Sequence, residues 1–162
     1  RFLNNGNLIV EAPNMANGST TNAGSVSVLD NADGSLIVQV QGDTMGQMLG
    51  DFGDVDLFSL GSADNFLITS TAHSMDAGAM FFVDGSDGGG LLNSLIGADP
   101  GDLLGSNGFT FVSNGILVPV PLADGNGVDS GSIILVDNTG AVLGTADGSG
   151  AGAAVAGRGS FW

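Results

Sequence analysis

The residues of this chain that could do chemistry are few and nearly all of one kind. Sixteen of its seventeen acidic residues are aspartate, set against two arginines (Arg1, Arg158), one histidine, and no lysine or cysteine. Aspartate in this quantity offers hard oxygen ligands to calcium. The best local groupings are Asp51-Phe52-Gly53-Asp54-Val55-Asp56 and Asp124-Gly125-Asn126-Gly127-Val128-Asp129. Neither has the ligand spacing of an EF-hand or of a repeat-toxin nonapeptide. Asp and Asn also initiate turns and keep a surface solvated, and that reading ranks first here. No metal site is therefore assigned, and the chain is read as needing no cofactor, with calcium the one ion its composition leaves open.

His73 is the sole candidate general base, with Ser70, Ser74 and Asp76 near it in sequence. A hydrolytic triad needs an activated serine, and the chain has no G-x-S-x-G elbow. A lone histidine in a loop reads as a surface residue. Asp54 and Asp56 could pose as the paired carboxylates of a glycosidase, but residues i and i+2 of any solvated strand share a face. Asn17-Gly18-Ser19 is a formal glycosylation sequon, and a single occurrence in a chain rich in Gly, Asn and Ser is expected by chance. No catalytic residue is assigned, and the expectation is a protein that is not an enzyme.

Composition excludes more. A P-loop and Schiff-base chemistry both need lysine, and thiol catalysis, disulfides and thiolate metal sites need cysteine. With a net charge of −15, nothing neutralises a phosphate backbone, so no nucleic-acid partner is expected. No apolar run approaches the roughly 18 residues of a membrane span. Disorder is also excluded, because 43% of residues are hydrophobic and they fall in short dense runs. An acidic, cysteine-free surface suggests an extracellular or cell-surface location. Arg1 in place of a methionine fits a processed chain or a segment of a longer one.

The elements that must position these residues are strands. Apolar runs such as Leu8-Ile9-Val10, Val26-Ser27-Val28-Leu29, Leu36-Ile37-Val38, Phe66-Leu67-Ile68, Met80-Phe81-Phe82-Val83, Phe109-Thr110-Phe111-Val112 and Ile133-Ile134-Leu135-Val136 lie between turn-forming clusters. Asn-Gly and Asp-Gly each occur five times, the dipeptides of tight hairpin turns. Glycine interrupts every window long enough for a helix of about ten residues. The chain reads as all-β.

It also repeats. Ala23-Gly24-Ser25, a strand and then Asp30 return as Ala77-Gly78-Ala79 with Asp84, and as Ser130-Gly131-Ser132 with Asp137, the glycines 54 and 53 residues apart. Leu49-Gly50, Leu104-Gly105 and Ala156-Gly157 close each unit at spacings of 55 and 52. This defines one repeat domain, 1–162, with units of about 54 residues at 1–50, 51–105 and 106–157, and 158–162 opening a further unit. Four short antiparallel strands per unit form blades like those of a β-propeller, with a β-solenoid as the alternative. In the second unit the strands are expected at Leu57–Leu60, Phe66–Thr69, Ala79–Val83 and Leu91–Ile96.

The stretch Asn4-Asn5-Gly6-Asn7-Leu8-Ile9-Val10-Glu11-Ala12-Pro13, continuing to Asn22-Ala23-Gly24-Ser25-Val26, resembles bacterial tandem-repeat surface proteins related to the FG-GAP repeats of integrin-type propellers. Leu49-Gly50 and Leu104-Gly105 sit where the Phe-Gly would be. The resemblance implies propeller-like blades in a large extracellular protein. FG-GAP blades often carry a DxDxDG calcium loop between their first two strands, and here Ser59–Asn65 or Ser113-Asn114-Gly115 stands there instead. Joined end to end, Phe161-Trp162-Arg1-Phe2-Leu3-Asn4-Asn5-Gly6 imitates Phe109-Thr110-Phe111-Val112-Ser113-Asn114-Gly115. Phe161, Trp162, Phe2, Leu3 and Leu8 are accordingly the expected subunit junction. The partner is then another copy of the chain or the adjoining repeats of a longer one, joined head to tail by strand complementation into a filament, sheath or surface layer. The alternative is an adhesin whose loops, such as Asn14–Asn22 and Pro121–Asp129, hold a ligand.

Overall fold

A computed structural model describes residues 1–51, the backbone of 55–56, and 64–152. The described residues are nearly all β, with eleven strands in three antiparallel sheets. The first holds β1 (Leu8–Glu11), β2 (Ser25–Leu29) and β3 (Leu36–Gln41) in the order β1-β2-β3. The second is β4 (Val55–Asp56), β5 (Asn65–Ser70), β6 (Ala79–Asp84) and β7 (Gly90–Ile96), again in sequence order. The third is β8 (Thr110–Val112), β9 (Gly115–Val120), β10 (Ser132–Val136) and β11 (Val142–Asp147), likewise a meander. Each strand pairs with its neighbour in the chain, as in a propeller blade. Among the described residues no sheet closes into a barrel.

The first sheet has three strands where four were expected. Its outer position is held by an isolated bridge, Phe2 to Leu8, flanked by hydrogen bonds between Ile9 N–H and the Arg1 carbonyl (2.8 Å) and between the Arg1 amino terminus and the Ile9 carbonyl (3.0 Å). Phe111 meets Ile116 in the corresponding place of the third sheet. The strand expected at Leu57–Leu60 lies outside the described residues. The helical turn α1 (His73–Asp76) is irregular, with Ser74, Met75 and Asp76 all at positive φ.

The repeat is written into the backbone. Asn22, Asp76 and Asp129 take left-handed φ of 51°, 66° and 53°, and Gly24, Gly78 and Gly131, two residues on, take 82°, 81° and 71°. Asn and Asp tolerate this region better than other non-glycine residues. At the second landmark Met48 and Leu103 are also left-handed, at 54° and 58°. Methionine and leucine gain nothing there by themselves, so tertiary bonds must hold them. Met48 N–H donates to the Asn22 carbonyl and Leu49 N–H to the Ala23 carbonyl, both at 3.0 Å. Leu103 and Leu104 repeat the pair onto Asp76 (3.1 Å) and Ala77 (2.9 Å). Leu49 and Leu104 are thereby plugged into the interior. The first and third sheets also share a bulge, between Val28 and Leu29 and between Leu135 and Val136. The insertion falls at the same repeat position in both sheets.

The chain divides into two compact units: Arg1–Ser70 with Phe81–Ser94, and Thr71–Met80 with the chain from Leu95 onward. In the first, Val26, Val28, Phe66, Ile68 and Phe82 form the core; in the second, Met80, Leu104, Ile116 and Val118 do. Inner strands are more buried than final strands: β2 is buried over four of its five residues, whereas β11 is exposed throughout.

Candidate functional site

The aspartates singled out by the repeat make turns. Asp30, Asp84 and Asp137 each accept, on Oδ1, the backbone N–H two residues on: Ala32 at 2.7 Å, Ser86 at 2.9 Å and Thr139 at 2.8 Å. This Asx turn fixes the hairpin that leads into the last strand of each sheet. Asp137 also accepts from the Thr139 hydroxyl (2.7 Å) and from Ala141 N–H (3.0 Å). The Thr139 hydroxyl, then the Thr139 and Ala141 N–H groups, hold its carboxyl below the ordinary 3.8. Asp33 is lowered from the same value, first by the Ser35 backbone and then by the Ser35 side chain.

Of the two acidic groupings, Phe52, Gly53 and Asp54 lie outside the described residues. In the other, Asp124 Oδ1 accepts Asp129 N–H at 2.7 Å and the Asp124 carbonyl accepts Gly127 N–H at 3.3 Å, so the loop is bonded to itself. Among the described residues no three His, Cys, Asp or Glu side chains converge as a metal site.

His73 corrects its sequence reading: it is buried, at 6% exposure, because α1 turns inward and its carbonyl accepts Gly78 N–H (3.2 Å) at the repeat landmark. Ser70 is buried as well, its hydroxyl accepting from Gln47 Nε2 at 2.9 Å. Asn17 is held in a tight turn by paired bonds with Thr20, each 3.0 Å, and its side-chain amide donates to the Gly42 carbonyl at 2.9 Å. The sequon asparagine thus has a structural use that a glycan would disrupt.

Of the expected junction residues, Phe161 and Trp162 lie outside the described residues. Phe2 is 73% exposed, Leu8 is half-buried in β1, and Leu3 is buried inside the first unit. The sequence reading missed Asn7, which is fully buried. Its Nδ2 donates to the Gly85 carbonyl (2.9 Å) and to Asp87 Oδ1 (3.0 Å), while its Oδ1 accepts Asn31 N–H (3.1 Å). Asn5 adds a second donor to Gly85 (3.1 Å), so the Asn5-Gly6-Asn7 segment ties the first sheet to the turn after β6.

The exposed aliphatic residues that stand out lie on the final strand of each sheet. Leu36 of β3, Leu91, Leu92 and Ile96 of β7, and Val142 and Leu143 of β11 are all exposed. Each of these strands ends its sheet, and together they contain one charged residue, Asp147. Natural sheets usually guard such edges with lysine or proline. None of these strands has either.

These features define a tandem-repeat, all-β protein built of antiparallel meander sheets. A family described as a repeat of unknown function (DUF5650) matches residues 2–41. Those residues run from the Phe2 bridge to the last residue of β3, which is the first sheet complete. No curated protein matches the chain. No helix among the described residues is long and apolar enough to cross a membrane.

Proposed function

We propose that this chain is a non-enzymatic structural repeat protein of an extracellular or cell-surface assembly, joined to neighbouring copies or repeats through the outer strands of its sheets. The observation that carries this reading is the exposed aliphatic side chains that each of β3, β7 and β11 presents. An edge strand presents unpaired N–H and C=O groups, and an added strand satisfies them while its side chains set the register. Exposed apolar patches of this kind mark interaction sites in soluble proteins. Asymmetric contacts between such surfaces close to rings or continue as filaments. The assignment to FG-GAP-like propeller repeats belongs to the same proposal and rests on the motif likeness of residues 4–26.

The test is negative-stain electron microscopy and analytical ultracentrifugation of the purified chain, with calcium and with chelator, beside Leu92→Lys and Leu143→Lys. Both leucines are exposed, so the variants should fold. The expected result is ordered oligomers or filaments that the two lysines abolish. A wild-type chain monomeric at every concentration would sink the proposal, as would assembly indifferent to both substitutions.

A further inference from the structure

The second compact unit contains a cleft of about 370 Å³, within the range of roughly 300–1,000 Å³ usual for small-molecule sites. Leu104, Val120 and Ile134 supply its apolar wall, and Asp99, Asp102 and Asp124 its carboxylates. Val120 and Ile134 belong to one face of the third sheet, where Ser132 pairs with Val120 and Ile134 with Thr145.

Comparison between repeats shows why the cleft is there. Asp102 precedes Leu103-Leu104-Gly105 as Gln47 precedes Met48-Leu49-Gly50. Gln47 Oε1 accepts Asp43 and Thr44 N–H at 2.9 and 3.2 Å, and its Nε2 crosses to the Ser70 hydroxyl at the end of β5. Asp102 keeps the first half of this arrangement, its Oδ2 accepting Asp99 N–H at 3.0 Å. It lacks the second half. The side chain is one methylene shorter and has no donor, and Val120, at the end of β9 where β5 has Ser70, has no acceptor. Ile134 likewise stands where the second sheet has the larger, buried Phe81. The filling is removed and a carboxylate is left in its place.

That carboxylate is 3% exposed, and no donor among the described residues reaches its Oδ1. Arg1 is engaged with Glu11 at 3.1 Å. The Asp102 side chain is largely withdrawn from water yet keeps one oxygen without a protein donor, so a cationic N–H brought from outside would pair with it. An apolar wall in the same cleft as that carboxylate matches an alkyl stem carrying a charged head. Calcium would need six to eight oxygens, which this wall does not offer.

We propose that the cleft binds a primary alkylammonium group, the stem lying along Leu104, Val120 and Ile134 and the ammonium on Asp102. Asp99 and Asp124 add negative potential around it. Two sources share this chemistry, a free aliphatic diamine and the lysine side chain of another protein; the chain itself has no lysine.

The experiment is titration of the full chain, followed by amide NMR shifts and calorimetry, with cadaverine, with N-acetyl-lysine methylamide, and with pentanol and calcium as controls. Both amines should shift residues 96–104 and 120–134, and pentanol should not. Tighter binding of cadaverine points to a free diamine, and tighter binding of the lysine derivative to a protein partner. Asp102→Asn should weaken binding about tenfold or more, the usual worth of a charge-assisted hydrogen bond. The double variant Asp102→Gln, Val120→Ser rebuilds the Gln47–Ser70 arrangement, so it should fold and lose the site. Amine binding that survives both variants overturns the proposal. So does equal binding of pentanol, displacement by calcium, or absence of shifts at saturating amine.

Discussion

Replacing Gly24 by alanine tests whether the repeat landmark is a packing device or only a turn. Gly24 sits at φ +82°, and a Cβ there would stand 2.2 Å from Leu49 N and 2.4 Å from Leu49 O. Three costs add. The left-handed backbone costs a non-glycine residue about 1–2 kcal/mol. Displacing the Leu49 backbone breaks its bond to the Ala23 carbonyl, worth about 1 kcal/mol net. Leu49, wholly buried, is lifted from its socket, and partial exposure costs about 1–2 kcal/mol more. The expected loss is about 3–5 kcal/mol. Gly34 is the control, because it has φ +74° and nothing within 4 Å of its Cβ position, leaving only the backbone cost of about 1–2 kcal/mol. Urea denaturation followed by circular dichroism reads the difference. With a slope of about 1–3 kcal/mol per molar, Gly24→Ala should lower the midpoint by roughly 1 M or more beyond Gly34→Ala. Equal midpoints for the two variants would refute the packing argument and reduce the landmark to a turn.

Asn7→Asp should cost about 3 kcal/mol at neutral pH, because it turns a buried donor into a charge facing the Gly85 carbonyl and Asp87 Oδ1. Urea melts at lower pH should recover part of the loss as the new carboxyl regains a proton to donate. The lowered carboxyls of Asp33 and Asp137 stabilise the fold above the ordinary value of 3.8, and that contribution is lost as pH falls below it. The variant carrying Asp33→Asn and Asp137→Asn should therefore show a shallower fall in melting temperature across that acid range than the wild type. With a net charge of −15, thermal stability should rise with sodium chloride as the screening length shrinks from about 30 Å at 0.01 M to about 8 Å at 0.15 M. A melting temperature independent of salt would show that the acids are already screened by bound cations.

The strands were legible because they are local. An apolar run between Asn-Gly or Asp-Gly pairs commits its backbone whatever lies beyond it, and the strands expected near Leu8, Ser25, Leu36, Phe66, Ala79, Leu91 and Ile133 all form. Asp30, Asp84 and Asp137 were visible for the same reason, since an Asx turn spans two residues. β11 was not marked in this way, because Gly144, Thr145 and Ala146 form no apolar run and become strand only by pairing with Leu135, Ile134 and Ile133. Nor could neighbours in sequence reveal that His73 turns inward or that Asn7 is fully buried. Those outcomes depend on groups far along the chain, such as Gly78 N–H for the first and Gly85 and Asp87 for the second.

The cleft draws the same line more sharply. Sequence alone places Gln47 and Asp102 at matching points of successive repeats, a change that reads as surface variation in a chain full of aspartate. Only the fold brings Gln47 to Ser70 and Asp102 beside Val120. A side chain's consequence depends on what stands across from it, and register and packing choose that partner.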